Sequence, residues 1–279
     1  MTRIELLVST MNNEPEFLKN LNIKTDVVVV NQCDDNSIEE LEINGYHITW
    51  INSTTRGLSK SRNIAIEHSK AEFVVLTDDD MEYRSDYANT IVKAFEKYNV
   101  ADVLAFQVKG IERKFKDYSN KARRVSFIGS MKISSVELAF RRKSIVQNKI
   151  KFNENFGTGT AVKMGEENIF LFQCLKNKLK IQYVPYIIAD LHMEESTWFH
   201  GFDKKYFYDR GVVYYEMFGW LAPIMLIQFM IRKYHVYHGQ VSFFEALNQS
   251  INGVKRSKNN KYLQMYVILH PKIKLPSIT

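Results

Sequence analysis

The chain is expected to fold as an α/β protein: a mostly parallel central sheet flanked by helices, followed by a C-terminal helical appendage. Three observations predict this. Short unbroken apolar runs at Ile4–Val8, Val27–Val30 and Phe73–Leu76 have the length and continuity of strands buried on both faces. Segments with apolar residues at helical spacing alternate with them, which implies βαβ units and right-handed crossovers. After residue 200 the alternation gives way to a long apolar stretch in basic surroundings, so the expected division is 1–200 and 201–279.

The 279 residues suffice for one large domain with an appendage, and the 45% apolar content is that of a globular protein rather than a disordered one. Charge is unevenly placed. Residues 1–200 hold 27 Lys and Arg against 27 Asp and Glu, whereas residues 201–279 hold 11 against 4, so the net charge of +7 lies entirely in the last part. That asymmetry suits an anionic surface, membrane or nucleic acid, although a merely solvated basic face has the same composition. Cys33 and Cys174 have no Cys-x-x-Cys spacing and read as free thiols of a reducing compartment. The N-terminus starts directly on a strand without a leader-like apolar region, which points to a cytoplasmic protein.

The first strand, Ile4–Val8, ends in the polar Ser9-Thr10-Met11-Asn12-Asn13, and Glu14-Pro15-Glu16 then opens a helix with Phe17, Leu18 and Leu21 on its apolar face. Val27–Val30 runs into Asn31-Gln32-Cys33-Asp34-Asp35-Asn36-Ser37, and Tyr46–Ile51 into Asn52-Ser53-Thr54. A helix over Leu58–Ser69 leads to the strand Phe73–Leu76, which is followed at once by Asp78, Asp79 and Asp80. Three adjacent carboxylates repel one another, so either full solvation or a divalent cation should offset them. Their place at the C-terminal end of a buried parallel strand favours the cation, because open α/β sheets bind ligands there. Neither Gly-x-Gly-x-x-Gly nor Gly-x-x-x-x-Gly-Lys-Ser/Thr is present after the first strand, which disfavours a dinucleotide-binding fold and a P-loop nucleotidase.

Ser85–Tyr98 is expected as a helix and Val103–Val108 as a strand. Lys109–Arg124, with seven Lys and Arg against Glu112 and Asp117, reads as a mobile flap, an acceptor-binding loop or a plain solvated loop. Val136–Phe140 is a further strand. The glycine-containing loop 152–160 approaches Gly165-Glu166-Glu167 at the start of a helix reaching Lys176. Two acids at a helix start complement the helix dipole without further function; the glycine-rich approach instead suggests a carboxylate presented into a cleft. Ile181–Val184 is another strand, followed by His192. Gly211–Ile231 is the most apolar stretch and about long enough to span a bilayer, but Glu216, Pro223 and Gln228 argue against a span. Helices lying at a membrane interface or packed on the catalytic domain fit better, with Lys255, Arg256, Lys258 and Lys261 adding attraction to anionic lipid.

The ordered set Ser9-Thr10-Met11-Asn12, Asp34-Asp35-Asn36-Ser37, Gly57-Leu58-Ser59-Lys60-Ser61-Arg62-Asn63, Asp78-Asp79-Asp80 and Gly165-Glu166-Glu167 resembles glycosyltransferase family 2, of the GT-A fold, over about residues 2–200. The resemblance implies transfer of a sugar from a nucleotide diphosphate sugar, most commonly a UDP-sugar, usually with inversion. Its bacterial members often build capsule, O-antigen or other surface polysaccharide. By position, Asp78 and Asp80 match the Asp-x-Asp that holds Mg²⁺ or Mn²⁺ on the donor diphosphate, and His192 matches a later metal ligand. Glu167 matches the general base, with Glu166 beside it as the other choice because the family usually has Glu-Asp here. Ser9 and Met11 match positions flanking the nucleobase, Asp35, or Gln32 in its stead, the contact to that nucleobase at the end of strand two, and Arg62 and Asn63 the nucleotide wall, with Arg62 facing the diphosphate and Asp78 the donor as well as the metal. The expected partners are the donor, a glycan or lipid-linked acceptor and the inner leaflet of the membrane, not a nucleic acid. A sugar-phosphate nucleotidyltransferase and a non-catalytic binder of anionic surfaces are the competing readings; the first lacks its glycine-rich basic loop after strand one, and the second leaves the acidic clusters unexplained.

Overall fold

A computed structural model describes residues 3–193 and 201–269. The chain divides into two compact units: the described residues of 1–161 and 166–196 form one, and those of 162–165 and 197–279 the other. The sequence-expected boundary at 200/201 falls beside residues 194–200, which lie outside the described residues.

In the first unit the strands and helices follow in the order β1 (Ile4–Met11), β2 (Asp26–Gln32), β3 (Ser37–Ile43), β4 (Tyr46–Ser53), α1 (Leu58–His68), β5 (Phe73–Asp78), β6 (Met81–Tyr83), α2 (Tyr87–Lys97), β7 (Val103–Gly110), β8 (Arg123–Arg124), α3 (Phe127–Ser130), β9 (Leu138–Arg141), α4 (Arg142–Gln147), α5 (Glu166–Lys176) and β10 (Ile181–Leu191). They build one mixed sheet in the order β3-β4-β2-β1-β5-β9-β7-β10-β6, with β8 also on β10. Strands β4, β2, β1 and β5 run parallel. They are also the most apolar stretches, because both sheet faces are covered: Leu6, Val8, Val29 and Val75 pack into one core layer, and Leu7, Val28, Val30 and Leu76 into the other. Strand β9 runs antiparallel between β5 and β7, so the sheet is mixed rather than uniformly parallel.

The strand expected at Val136–Phe140 starts only at Leu138, after a 3-10 turn over Ser135–Glu137, and two earlier segments also depart from the sequence reading. The stretch opened by Pro15 closes as a single 3-10 turn, Pro15–Lys19, rather than a helix. Only six residues separate Lys19 from β2, and Asn22 takes a positive φ of 51° to turn the chain back. Residues 37–43 form β3, a hairpin partner of β4 with Glu39, Glu40 and Glu42 exposed. Charged side chains on such an edge discourage pairing with other chains, and they also hid the strand from an apolar-run search.

Among the described residues the second unit holds three α-helices, α6 (Lys204–Phe218), α7 (Ala222–Tyr237) and α8 (Phe243–Leu269). Asp203 caps α6 by accepting from the Tyr206 amide at 2.6 Å, and Pro223 sits in the first turn of α7, where its missing N–H has no partner to lose. Helices α6 and α8 approach closely at glycines: a Cβ on Gly211 would lie 2.1 Å from the Ser250 carbonyl oxygen, and one on Gly253 2.1 Å from that of Tyr208. The apolar stretch Gly211–Ile231 is therefore not one helix, because the chain breaks at Gly219–Leu221 between α6 and α7.

Candidate active site

The parallel register brings the polar strand ends to one edge. Ser9 stands opposite Asp78, Met11 opposite Gln32, and Gln32 opposite Ser53. Ser9 is buried and accepts from the Ser61 hydroxyl at 2.9 Å, whereas Met11 is exposed. Gln32 is buried with its carbonyl oxygen on the Gly57 amide at 2.7 Å, so it satisfies a donor at the start of α1. Asp35 is exposed, and it is Asp34, next to it, that pairs with Arg56.

Arg62 is the centre of the site. Its side chain is 1% exposed. One end donates to Asp78 Oδ1 at 3.0 Å and to the Ser135 hydroxyl at 2.8 Å, and the other reaches Glu166 Oε1 at 3.2 Å. Burial alone would lower its pKa, but the charges of Asp78 and Glu166 outweigh that and raise it. Its guanidinium is thus committed to two carboxylates and a hydroxyl, a different placing from the diphosphate contact expected from sequence. Asn63 is likewise committed: its amide donates to the Phe152 carbonyl at 3.0 Å and to Glu154 at 3.1 Å and accepts from the Phe152 amide at 2.8 Å. Together with Ser59, whose hydroxyl meets the Phe156 carbonyl at 2.7 Å, it stitches loop 152–160 to α1. Gly157 in that loop has φ 98°, and a Cβ there would sit 3.1 Å from the Glu166 carboxyl carbon, so glycine lets the backbone pass against the carboxylate.

The three aspartates have three environments. Asp78 is held by Arg62. Asp79 accepts from Thr10 and Asn13 side chains of the loop after β1. Asp80 has a buried carboxylate oxygen, Oδ1, with no hydrogen-bond partner. Its pKa is pushed up to about 7, first by burial, then by the charges of Asp78 and Asp79. The pairing of Met81 with Leu191 sets Asp80 beside His192, whose amide donates to the Asp80 carbonyl at 2.9 Å. His192 Nδ1 lies 3.1 Å from Glu112 Oε1, leaving Nε2 as its remaining ring nitrogen. Among the described residues no group of three or more His, Cys, Asp or Glu converges as a ready-made metal cage. The donor set nonetheless fits a hard divalent cation, because the buried Oδ1 of Asp80 has no hydrogen-bond donor and its acidic neighbours Asp78 and Asp79 add like charge that a cation would offset.

Glu166 and Glu167 open α5. Glu166 is spent on Arg62. Glu167 is half-buried, and burial together with the charge of Glu166 holds its carboxyl above the ordinary range, up to about 8. Sequence reasoning missed the supports behind these groups. Glu137 is buried and takes Lys116 Nζ at 2.7 Å and the Tyr118 hydroxyl at 2.6 Å; Ser119 is tied to Gln107 and Tyr183. The basic segment 109–124 is therefore pinned at its middle. The one readable signal was Ser134-Ser135-Val136-Glu137, a capping box that folds Glu137 back onto the Ser134 amide.

This architecture, a mixed sheet flanked by helices with an acidic strand end and an acidic helix start, is that of the GT-A fold. The profile described as Glycosyl transferase family 2 matches residues 8–166. The chain belongs to that family and is a glycosyltransferase. The matched segment ends at Glu166, so Glu167 and His192 lie beyond it. Among solved structures, S. aureus TarS residues 1–349 in complex with UDP-GlcNAc is similar with TM-score 0.64 and 18% identity, covering 90% of this chain and 79% of that one. The mannosyltransferase PcManGT from Pyrobaculum calidifontis, in complex with GDP-Man and Mn²⁺, is similar with TM-score 0.52 and 14% identity over 96% and 80%. At such identities these likenesses speak to the fold. No curated protein sequence matches the chain. Family membership sets aside the nucleotidyltransferase and the non-catalytic binder.

Proposed function

We propose that the chain transfers a hexose from a nucleotide diphosphate sugar, a UDP-sugar first among carriers, to a hydroxyl of a glycan or lipid-linked acceptor, with inversion, in the synthesis of a surface polysaccharide. The observation that carries this is the span of Arg62: a single guanidinium touches both Asp78, at the donor edge of the sheet, and Glu166, at the helix start that presents Glu167. Donor end and base are thereby fixed to one rigid group, which is what a single displacement needs. The similar structures hold UDP-GlcNAc, UDP, or GDP-Man with Mn²⁺, which supports a nucleotide-sugar donor and a metal here. The buried free thiol of Cys174 agrees with a reducing, cytoplasmic setting.

Ser9 and Met11 line the entry for the nucleotide, with Gln32 and Asp35 at the neighbouring strand end. Asp78, Asp80 and His192 would hold Mg²⁺ or Mn²⁺, which when bound neutralises charge on the departing nucleoside diphosphate. Glu167 removes the proton from the acceptor hydroxyl as that oxygen attacks the anomeric carbon. Glu166, held by Arg62, keeps a charge beside Glu167 and so raises its basicity. Asn63 and Gly157 hold the loop that closes over this helix start.

The test is a panel of nucleotide sugars, each with Mg²⁺, Mn²⁺ or chelator, read by thermal stabilisation and by release of nucleoside diphosphate, with the product anomer assigned by NMR. A cation-dependent response to one donor, lost in Asp80→Asn, is expected. Donor turnover that is unchanged by chelator and by Asp80→Asn would remove the metal from the scheme; retention of anomeric configuration would remove the single displacement.

A further inference from the structure

A surface helix turns an apolar stripe inward and a polar one outward. Helix α7 does not. Its inward face is Ala222, Leu226, Phe229, Met230 and Tyr237, all buried. Its outward face is also apolar along its first half and the turn before it: Trp220 is 80% exposed, Ile224 62% and Ile231 64%, with Leu221 and Ile227 exposed between them. These positions recur at helical spacing, so they form one continuous stripe. Cations follow at once, at the exposed Arg232 and Lys233. The same region carries the whole net charge of the chain, 11 Lys and Arg against 4 Asp and Glu over residues 201–279.

We propose that this outward face of α7 seats the enzyme on an anionic lipid surface, with Trp220, Ile224 and Ile231 entering the headgroup layer and Arg232, on the flank of that face, meeting lipid phosphates. Charge complementarity selects this occupant. A second copy would bring only the same apolar stripe and the same excess of cations, and so would supply no anions to answer them, whereas an anionic lipid surface supplies both an apolar layer and phosphates. The helix lies on the bilayer rather than across it. By length and apolar composition Lys204–Tyr237 is long enough to cross a membrane, but it is broken at Gly219. The 16 residues of α7 cover only about 24 Å against a hydrocarbon core of about 30 Å, and their inner face is occupied. Tryptophan at one end and cations at the other are the groups that favour the interface. The proposal is independent of the donor chemistry: it concerns only where the enzyme sits.

The experiment uses the full chain with vesicles of phosphatidylcholine alone or mixed in equal parts with phosphatidylglycerol. Flotation with the anionic vesicles only, weakened by salt, is expected, together with a blue shift of Trp220 emission identified by its loss in Trp220→Phe. Ile224→Glu/Ile231→Glu, both on solvent-facing positions, should lower the partition coefficient about tenfold or more while donor turnover and the circular dichroism spectrum stay unchanged. Alkaline carbonate should release the bound protein. Equal flotation of the double variant, an unshifted Trp220, or resistance to carbonate would each overturn the proposal. So would a wild-type dimer in sedimentation velocity that the double variant abolishes, since a second copy would then cover the face.

Discussion

Arg62→Met tests the electrostatic frame of the site directly. The substitution keeps most of the side-chain volume and removes the charge that Asp78 and Glu166 share. Both carboxylates are then stranded, Glu166 in a position only 10% exposed and Asp78 in one 16% exposed. Breaking a buried pair from one side costs about 3–5 kcal/mol, and the partial solvation of Asp78 places the expected loss at the lower end. For a protein of this size that is a fall in Tm of about 6–12 °C. The assay is urea and thermal denaturation of metal-free protein at neutral pH, followed by circular dichroism. The second variant decides the cause: Glu166→Gln added to Arg62→Met removes one stranded charge and should restore about 1–2 kcal/mol, whereas Glu166→Gln alone should destabilise. Arg62→Lys should fall between, because a single ammonium cannot fork to both acids. A loss under about 1 kcal/mol in Arg62→Met, or a double variant no more stable than the single one, would refute the view that Arg62 joins donor end and base.

The remaining expectations concern charge and packing. Asp80 has a folded-state pKa of about 7 against an ordinary 3.8, so its ionisation destabilises the fold increasingly from about pH 4 to about 7 and fully above. Asp80→Asn should therefore stabilise the metal-free protein at alkaline pH by about 1–2 kcal/mol after discounting for solvent screening, gain nothing in acid, and lose the stabilisation by Mn²⁺ expected of the wild type; Tm against pH with and without Mn²⁺ measures all three. As the proposed base Glu167 would act only when ionised, so transfer should rise with pH toward an apparent pKa near 8 rather than near 4.5, and Glu167→Gln should cost about 10²–10⁴ in kcat. An acid limb at ordinary carboxylate pH would assign the base elsewhere. Gly211→Val should cost about 1–3 kcal/mol by forcing α6 from α8, read as early loss of the second unit in limited proteolysis; unchanged cleavage would show that the helices are not held at that contact.

The parallel strands were legible because burial on both faces leaves an uninterrupted apolar signal, as in Val27–Val30 and Phe73–Leu76. The hairpin strand β3 and the two-stranded contact of β6 with β10 were not, because an edge strand that is half charged, or only three residues long, leaves no periodicity to read. The same contrast divides the site. The acidic triplet and the Glu166-Glu167 pair announce themselves as local clusters whose repulsion demands a partner. What each acid does is a matter of long-range contacts: Arg62 spans 104 residues to Glu166, and Glu112 spans 80 to His192.

The sequence by itself determined the α/β class, the edge of the sheet that carries the candidate site, the acids gathered there and the basic, apolar character of the last third. These follow from local composition and spacing, which is where hydrophobic periodicity and like-charge repulsion act. Only the tertiary structure decided that Arg62 and Asn63 are committed to the protein's own groups, that Asp80 alone among the three aspartates has a buried oxygen without a donor, and that the apolar stretch Gly211–Ile231 is two helices with one face left uncovered. Those facts depend on which distant atoms come within about 3 Å, and a hydrogen bond or a buried charge is decided by that approach rather than by neighbours along the chain.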